Sequence, residues 1–355
     1  MEKLFYEIVQ VAIGKRKSLS CNPSDEKWNE LYNICQKQAV TGLVFDSLDK
    51  LNKQDQKPPI ALLYNWIGAN EQIILQNHIA NKRCVDVTKL FAEAGFRSCI
   101  LKGQGNALLY PNPLARISGD IDIWIDASRE AIRKFVVSRC NDIQDGNLHI
   151  DFPVFDDVIV EVHYNPSQDN SRKYNKRLQT WYVEHAEEQF THKVTLEGGE
   201  ISVPTLEFNA IHQMSHMINH FFIEGIGLRH FVDYYYVLTN SELTNRTVVA
   251  DALRYLGMEK FARGVMWIEH QCLGLDNEHL LFEPSERIGK VILKEMEEGG
   301  NFGHHDERYS LRRKGLLARG IADTGRLLRL AMVFPSESIW KIVKKAENQK
   351  WKLKF

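Results

Sequence analysis

Paired cysteines are missing from this 355-residue chain: Cys21, Cys35, Cys84, Cys99, Cys140 and Cys272 are scattered, with no C-x-x-C pair and no short-spaced Cys/His cluster. That distribution fits reduced thiols in a cytoplasm better than a disulfide framework or a zinc module. Also missing is an uninterrupted apolar run of about 18 residues, the length that crosses a bilayer, so no transmembrane segment is expected. The opening stretch MEKLFYEIVQVAIGKRKSLS has an acidic residue among its apolar ones and cations after them. It reads as an amphipathic helix and not as a secretory leader. No charge of one sign dominates, since 45 Lys+Arg stand against 46 Asp+Glu. This balance argues against a protein that coats nucleic acid by bulk electrostatics. There is no low-complexity tract and no fixed-period repeat.

What is present is the composition of a chain with a packed core, 44% apolar and 26% charged. The length allows two domains, or one catalytic core with helical additions. Cations concentrate at the end, with 13 Lys+Arg against 3 Asp+Glu from Arg308 to Phe355. The last stretch, SIWKIVKKAENQKWKLKF, mixes Trp340, Ile342, Val343, Trp351 and Phe355 with lysines. Such a basic amphipathic helix is compatible with RNA, an anionic membrane surface or a partner groove, and equally with docking on its own domain.

The hydrophobic period divides the chain into three. Residues 1–95 read as helical, with Asp25 as an N-cap and Gly95 ending a long helix from Ile60. Residues 96–205 change period: FRSCIL and DIDIWI read as strands, SREAIRKFVVSR as a helix capped by Ser128, and LHIDFPVF and VIVEVHY as strands joined by a tight turn at Asp156-Asp157. GGEISVP reads as another strand, and the helical period returns over 206–355. The fold class expected is α+β: a small mixed-sheet core flanked by N-terminal and C-terminal helical regions.

RISGDIDIWID, residues 116–126, puts carboxylates at alternate positions directly after a Ser-Gly turn. Read as a strand, it sends Ile121, Ile123 and Ile125 to one face and Asp120, Asp122, Trp124 and Asp126 to the other. The plain reading is a half-buried strand with a wet polar face. The sharper one is a metal site, because Asp120 and Asp122 lie about 6.5 Å apart along a strand and can converge on Mg²⁺. In VIVEVHY, Glu161 and His163 share a face, so pairing this strand with DIDIWI, apolar faces together, adds Glu161 to the two aspartates. LKGQG, with Lys102 and Gly103, can cradle phosphate oxygens, although most short glycine turns are plain turns. Arg116, Ser118 and Gly119 can hold a triphosphate or cap the loop.

His212, His216 and His220 recur every four residues on one helix face, without the glutamate of H-E-x-x-H. They read as interhelical packing or as donors lining a cleft, with His216 nearest the site. Arg229 and Asp233 are spaced for an i, i+4 ion pair, and a cleft-facing Arg229 can instead touch a phosphate.

Taken together, LKG, YPNPLARISGDIDIWI and VEVHY resemble the DNA polymerase β-like nucleotidyltransferase superfamily, and more closely its uncharacterised bacterial nucleotidyltransferase family. GIGLRHFVDYYYVL looks like that family's helical portion, and the resemblance spans roughly residues 40–290. It implies Asp120, Asp122 and Glu161 as metal ligands for Mg²⁺ or Mn²⁺, Lys102 and Gly103 as the phosphate-side turn, and an NTP as donor substrate. Two departures stand out: Gly103 is followed by Gln104 where the superfamily usually has Gly-Ser, and the spacer to Asp120 is long. A long spacer and R-x-S-x-D-x-D are also similar to nucleotidyltransferase toxins of abortive-infection systems.

The implied activity is Mg²⁺-dependent transfer of NMP from an NTP to an acceptor hydroxyl on a small molecule, a protein or a tRNA end. Two alternatives stand beside it. One is a glycosyltransferase whose Asp-x-Asp binds a metal-bound sugar nucleotide, and the other is a degenerate nucleotidyltransferase fold used as a binding module.

Overall fold

The computed structural model describes residues 3–141, 143–303 and 316–352, the side chains of 302, 316–323 and 344–352 apart. Helices α1 (Lys3–Ala12), α2 (Asp25–Lys37), α3 (Thr41–Phe45) and α4 (Leu48–Asn52) lead into α5 (Ile60–Glu93). Ser24, not Asp25, caps α2: its hydroxyl accepts the Lys27 N–H at 3.3 Å. Asp25 is the first helical residue, where its charge still favours the positive end of the helix. Gly95 follows the end of α5 with φ +81°, a left-handed position open to a residue without Cβ.

Four short strands form the central sheet: β1 (Ser98–Ile100), β2 (Ile121–Ile125), β3 (His149–Asp151) and β4 (Val160–His163), in the order β1-β2-β4-β3. Between them lie α6 (Gln104–Ala107) and α7 (Arg129–Val137). Ser128 caps α7, accepting the Ala131 N–H. β2 and β4 run parallel, and the other two pairs are antiparallel. A parallel pair needs a crossover connection, which α7 and β3 supply here. The expected hairpin at Asp156-Asp157 is looser than a tight turn, because β3 stops at Asp151 and Pro153 has no N–H to extend the ladder.

Residues beyond β4 form α8 (Arg172–Glu184), α9 (Ala186–Thr191) and the hairpin of β5 (Lys193–Leu196) and β6 (Gly199–Ser202). Helices α10 (Leu206–Ile223), α11 (Leu228–Thr239), α12 (Arg246–Tyr255), α13 (Glu259–Leu273), α14 (Glu286–Gly299), α15 (Leu316–Ala331) and α16 (Pro335–Lys352) complete the α+β architecture. Among the described residues no helix is long and apolar enough to cross a membrane. On α16, Ile342 and Val343 are exposed; the side chains of Trp351 and Phe355 lie outside the described residues.

Each face of the sheet is covered. Ile121, Ile123 and Ile125 pack with Val160 and Val162 against Phe91 of α5 and Phe135 of α7. The opposite face of β2 is not wet, as a half-buried strand would have it. Trp124 is buried there, its ring centroid 4.5 Å from Phe190 and 6.0 Å from Phe208. The helices that cover it draw on one apolar cluster that runs from α1–α3 to α10–α14. Asp122 therefore lies in the interior, 3% exposed. A carboxylate there must be paired, since the desolvation of an isolated one costs several kcal/mol or more.

Candidate functional site

Strand register gathers the polar side chains into rows. Asp122 of β2 lies opposite Glu161 of β4, which lies opposite Asp151 of β3. Two residues further along, Trp124, His163 and His149 form the next row. Side chains two apart on a strand share a face, so the two rows make one patch, and Asp120 adjoins it just before β2. Asp120, Asp122 and Glu161 each offer a carboxylate oxygen, and the three lie within 4.8 Å of one another.

The two aspartates differ in what balances them. Asp122 has Lys102 Nζ 3.0 Å from Oδ2 and His163 Nε2 2.8 Å from Oδ1. Burial alone would raise its pKa; Lys102 and the His163 hydrogen bond outweigh that and hold it well below the carboxylate range. Asp120 has no hydrogen-bond or ion-pair partner among the described residues. The charge of Asp122, then burial, push its carboxyl up. An unpartnered carboxylate beside a buried one, with a third in reach, fits a divalent cation: its charge relieves both repulsion and desolvation. His163 is pushed up to about 9, because the hydrogen bond to Asp122 and the nearby Glu161 carboxylate overcome the burial that disfavours its charge.

Lys102 reaches this patch because the β1–β2 pairing continues one step past the strand, the Leu101 N–H donating to Asp122 O at 3.0 Å. Gly103 then turns the chain with φ +60° and ψ −111°, and a Cβ there would lie 3.8 Å from Asp120 O. The Lys-Gly turn thus runs along the Ser-Gly-Asp turn. Burial opposes the charge on Lys102, but Asp122, Asp120 and Glu161 hold its pKa above the usual value.

Arg116 is committed elsewhere than to an open loop. Its Nε and Nη2 each donate to Asp233 of α11 at 2.7 Å, and Tyr110 Oη donates to the same carboxylate at 2.7 Å. The sequence spacing paired Asp233 with Arg229; the structure gives it a bidentate partner in Arg116. Arg229 Nη1 donates to Ile117 O at 2.9 Å, and Asn77 of α5 donates to Leu114 O and Arg116 O at 2.9 and 2.8 Å. The loop that delivers Asp120 is therefore tied to α5 and α11. Asn77, Tyr110 and the Arg116–Asp233 pairing had no local signal in the sequence.

Lys102, Gly103, Arg116, Gly119, Asp120, His212, His216 and Arg229 wall a cavity of about 30 Å³. His216 Nε2 lies 3.2 Å from Lys102 Nζ and so accepts from it. Burial first, then Lys102, lower His212 to about 3 and keep His216 neutral as well. Both ring nitrogens of His212 are buried with no hydrogen-bond partner among the described residues. Gly119 and Asp120 also border, with Ser118, an open groove of about 420 Å³ lined further by Gln72, Gln76 and Ile159.

No curated protein matches the chain. Among solved structures, an antigenic nucleotidyltransferase-like protein from Paracoccidioides brasiliensis aligns over 55% of this chain and 92% of its own, at 14% identity and a TM-score of 0.31. Residues 24–274 match the family model described as "Uncharacterised nucleotidyltransferase", which takes in both turns, all three carboxylates and α10–α11. The chain belongs to this nucleotidyltransferase family.

Proposed function

We propose that the protein is a divalent-cation-dependent enzyme that transfers the NMP of an NTP to an acceptor hydroxyl, with release of pyrophosphate. The observation that carries this reading is the convergence of Asp120, Asp122 and Glu161 beside the Lys102–Gly103 turn. Asp120, Asp122 and Glu161 would hold the cation, Mg²⁺ or Mn²⁺. When bound, the ion neutralises the charge that builds on the phosphoryl oxygens during in-line displacement. Lys102 is the side-chain cation of the phosphate-side turn, and the Gly103 backbone allows close approach of an anion. Arg229 and the neutral His216 add donors along the narrow cavity, while Arg116 holds the loop in place through Asp233. Glu161, whose side chain is 24% exposed, would take the proton of the attacking hydroxyl on a carboxylate oxygen. The open groove beside Gly119, the roomier of the two, would take the base and ribose.

Calorimetric titration of each NTP, with and without Mg²⁺, into the wild type and the Asp120→Asn/Asp122→Asn variant tests this. Binding is expected only when Mg²⁺ and both aspartates are present. Equal titrations in the two proteins, or none in either, would sink the proposal and leave a fold used for binding something else.

A further inference from the structure

His149, Glu161 and His163 bring three ligand atoms within 4.8 Å of one another on the β3–β4 pair, beside the carboxylates already described. His149 and His163 lie directly opposite in the strand register, with ring centroids 5.3 Å apart. His149 Nδ1 is 3.1 Å and His163 Nε2 3.6 Å from one atom, Glu161 Oε2. Ligands at about 2.1 Å around a tetrahedral ion are about 3.4 Å apart, so these separations straddle that edge. A simple imidazole–carboxylate hydrogen bond explains them less well. His149 Nδ1 is shielded from solvent, 3.1 Å from the carboxylate, and still makes no hydrogen bond among the described residues. His163 Nδ1 faces Asn165 O at 3.4 Å, the kind of carbonyl contact that orients a ligating imidazole and leaves its Nε2 lone pair outward.

We infer that His149, Glu161 and His163 form a second cation position, suited to a borderline divalent ion such as Zn²⁺ or Co²⁺. Two imidazoles and one carboxylate suit these ions, whereas Mg²⁺ prefers the all-oxygen set of Asp120 and Asp122. Glu161 is common to both sets and can bridge them. His163 Nε2 lies 2.8 Å from Asp122 Oδ1, so the hydrogen bond to Asp122 and ligation of the ion are alternatives for this nitrogen. Filling the second position displaces the Nε2 proton to solvent and so frees Asp122 Oδ1 for the first. His149 is 32% exposed on the edge strand, which gives the ion a route from solvent.

The test is a Co²⁺ titration, followed by visible absorption and calorimetry in excess Mg²⁺, of the full chain. The Asp120→Asn/Asp122→Asn background isolates the second position from the first. In that background one Co²⁺ is expected to bind, with the intense visible bands of nitrogen ligation at low coordination number. Adding His149→Ala, or the milder His149→Gln in case the alanine variant does not fold, is expected to weaken binding by about tenfold or more, since loss even of an outer-shell partner costs that much. Unchanged Co²⁺ binding without His149, or no Co²⁺ binding in the background, overturns the inference. Titration of Mg²⁺ and NTP into the wild type separates this result from the proposed activity. Nucleotide binding to the wild type, with Co²⁺ binding that ignores His149, rejects the second position alone; His149-dependent Co²⁺ binding with no nucleotide binding to the wild type supports it and rejects only the activity.

Discussion

Asp233 shows how a residue far from the strand of carboxylates supports them. It is buried, and Arg116, the residue four before Asp120, spends two guanidinium nitrogens on it. Burial would raise the Asp233 pKa, but Arg116 outweighs it and holds the carboxyl below the ordinary range. A depressed carboxyl contributes stability that is present above the unfolded value, about 3.9, and is lost as pH falls through the folded value. Asp233→Asn leaves Arg116 buried without a counter-charge, and is expected to cost roughly 3–5 kcal/mol at pH 7. Urea unfolding of wild type and variant at pH 7 and at pH 3.5 checks both parts, because the gap between the proteins should narrow at the lower pH. A gap that stays constant would remove the ion pair from the account.

Among the elements, α3 sets the position of the loop that carries Arg116 and Asp120 through the lack of a side chain. A Cβ on Gly42 would lie 2.4 Å from the carbonyl oxygen of Ala115, and backbone there cannot swing aside as a long side chain can. Gly42→Ala is expected to destabilise by about 1–3 kcal/mol through overpacking, and to weaken Mg²⁺-dependent NTP binding by shifting Arg116 and Asp120. Gly68 is the matching control. It lies on an exposed face of α5 with nothing within 4 Å of its Cβ position, so Gly68→Ala should stabilise by up to about 1 kcal/mol through helix propensity. Thermal denaturation of both variants, with nucleotide titration of Gly42→Ala, reads the contrast; equal effects of the two alanines would contradict it. The strand elements behave differently from α3. Their side chains alternate as any strand does, and pairing alone decides which of them meet.

At the scale of the whole molecule, the first helices and the later ones hold each other. The buried Gln38, after α2, accepts the Leu228 N–H at 2.9 Å and donates to Met296 O at 3.1 Å, joining α2 to the start of α11 and the end of α14. Its own carbonyl accepts the Arg229 N–H, so this tie ends next to a cavity residue. Gln38→Ala leaves a buried N–H and a buried carbonyl without that partner and is expected to cost on the order of 2–4 kcal/mol. Because α1–α3 share one apolar cluster with α10–α14, unfolding followed by tryptophan fluorescence and by circular dichroism should move together to lower urea in this variant. Two separated transitions would mean that the helical layers fold independently.

What could be read from residues alone was whatever depends on short periods. The alternation of DIDIWID marks a strand, the i, i+4 histidines a helix, and Ser128 and Gly95 helix ends, because each rests on neighbours a few residues away. The ordered motifs also carried the nucleotidyltransferase resemblance that the family match bears out. Tertiary structure alone decided how β2 is buried, because Trp124 is covered by Phe190 and Phe208, 66 and 84 residues on. It alone gave Arg116 to Asp233, 117 residues away, and set His149 opposite His163. Local propensity acts over a turn or a strand pair, whereas a buried charge takes whichever partner the packed helices bring within about 3 Å, and nothing in its own neighbourhood names that partner in advance.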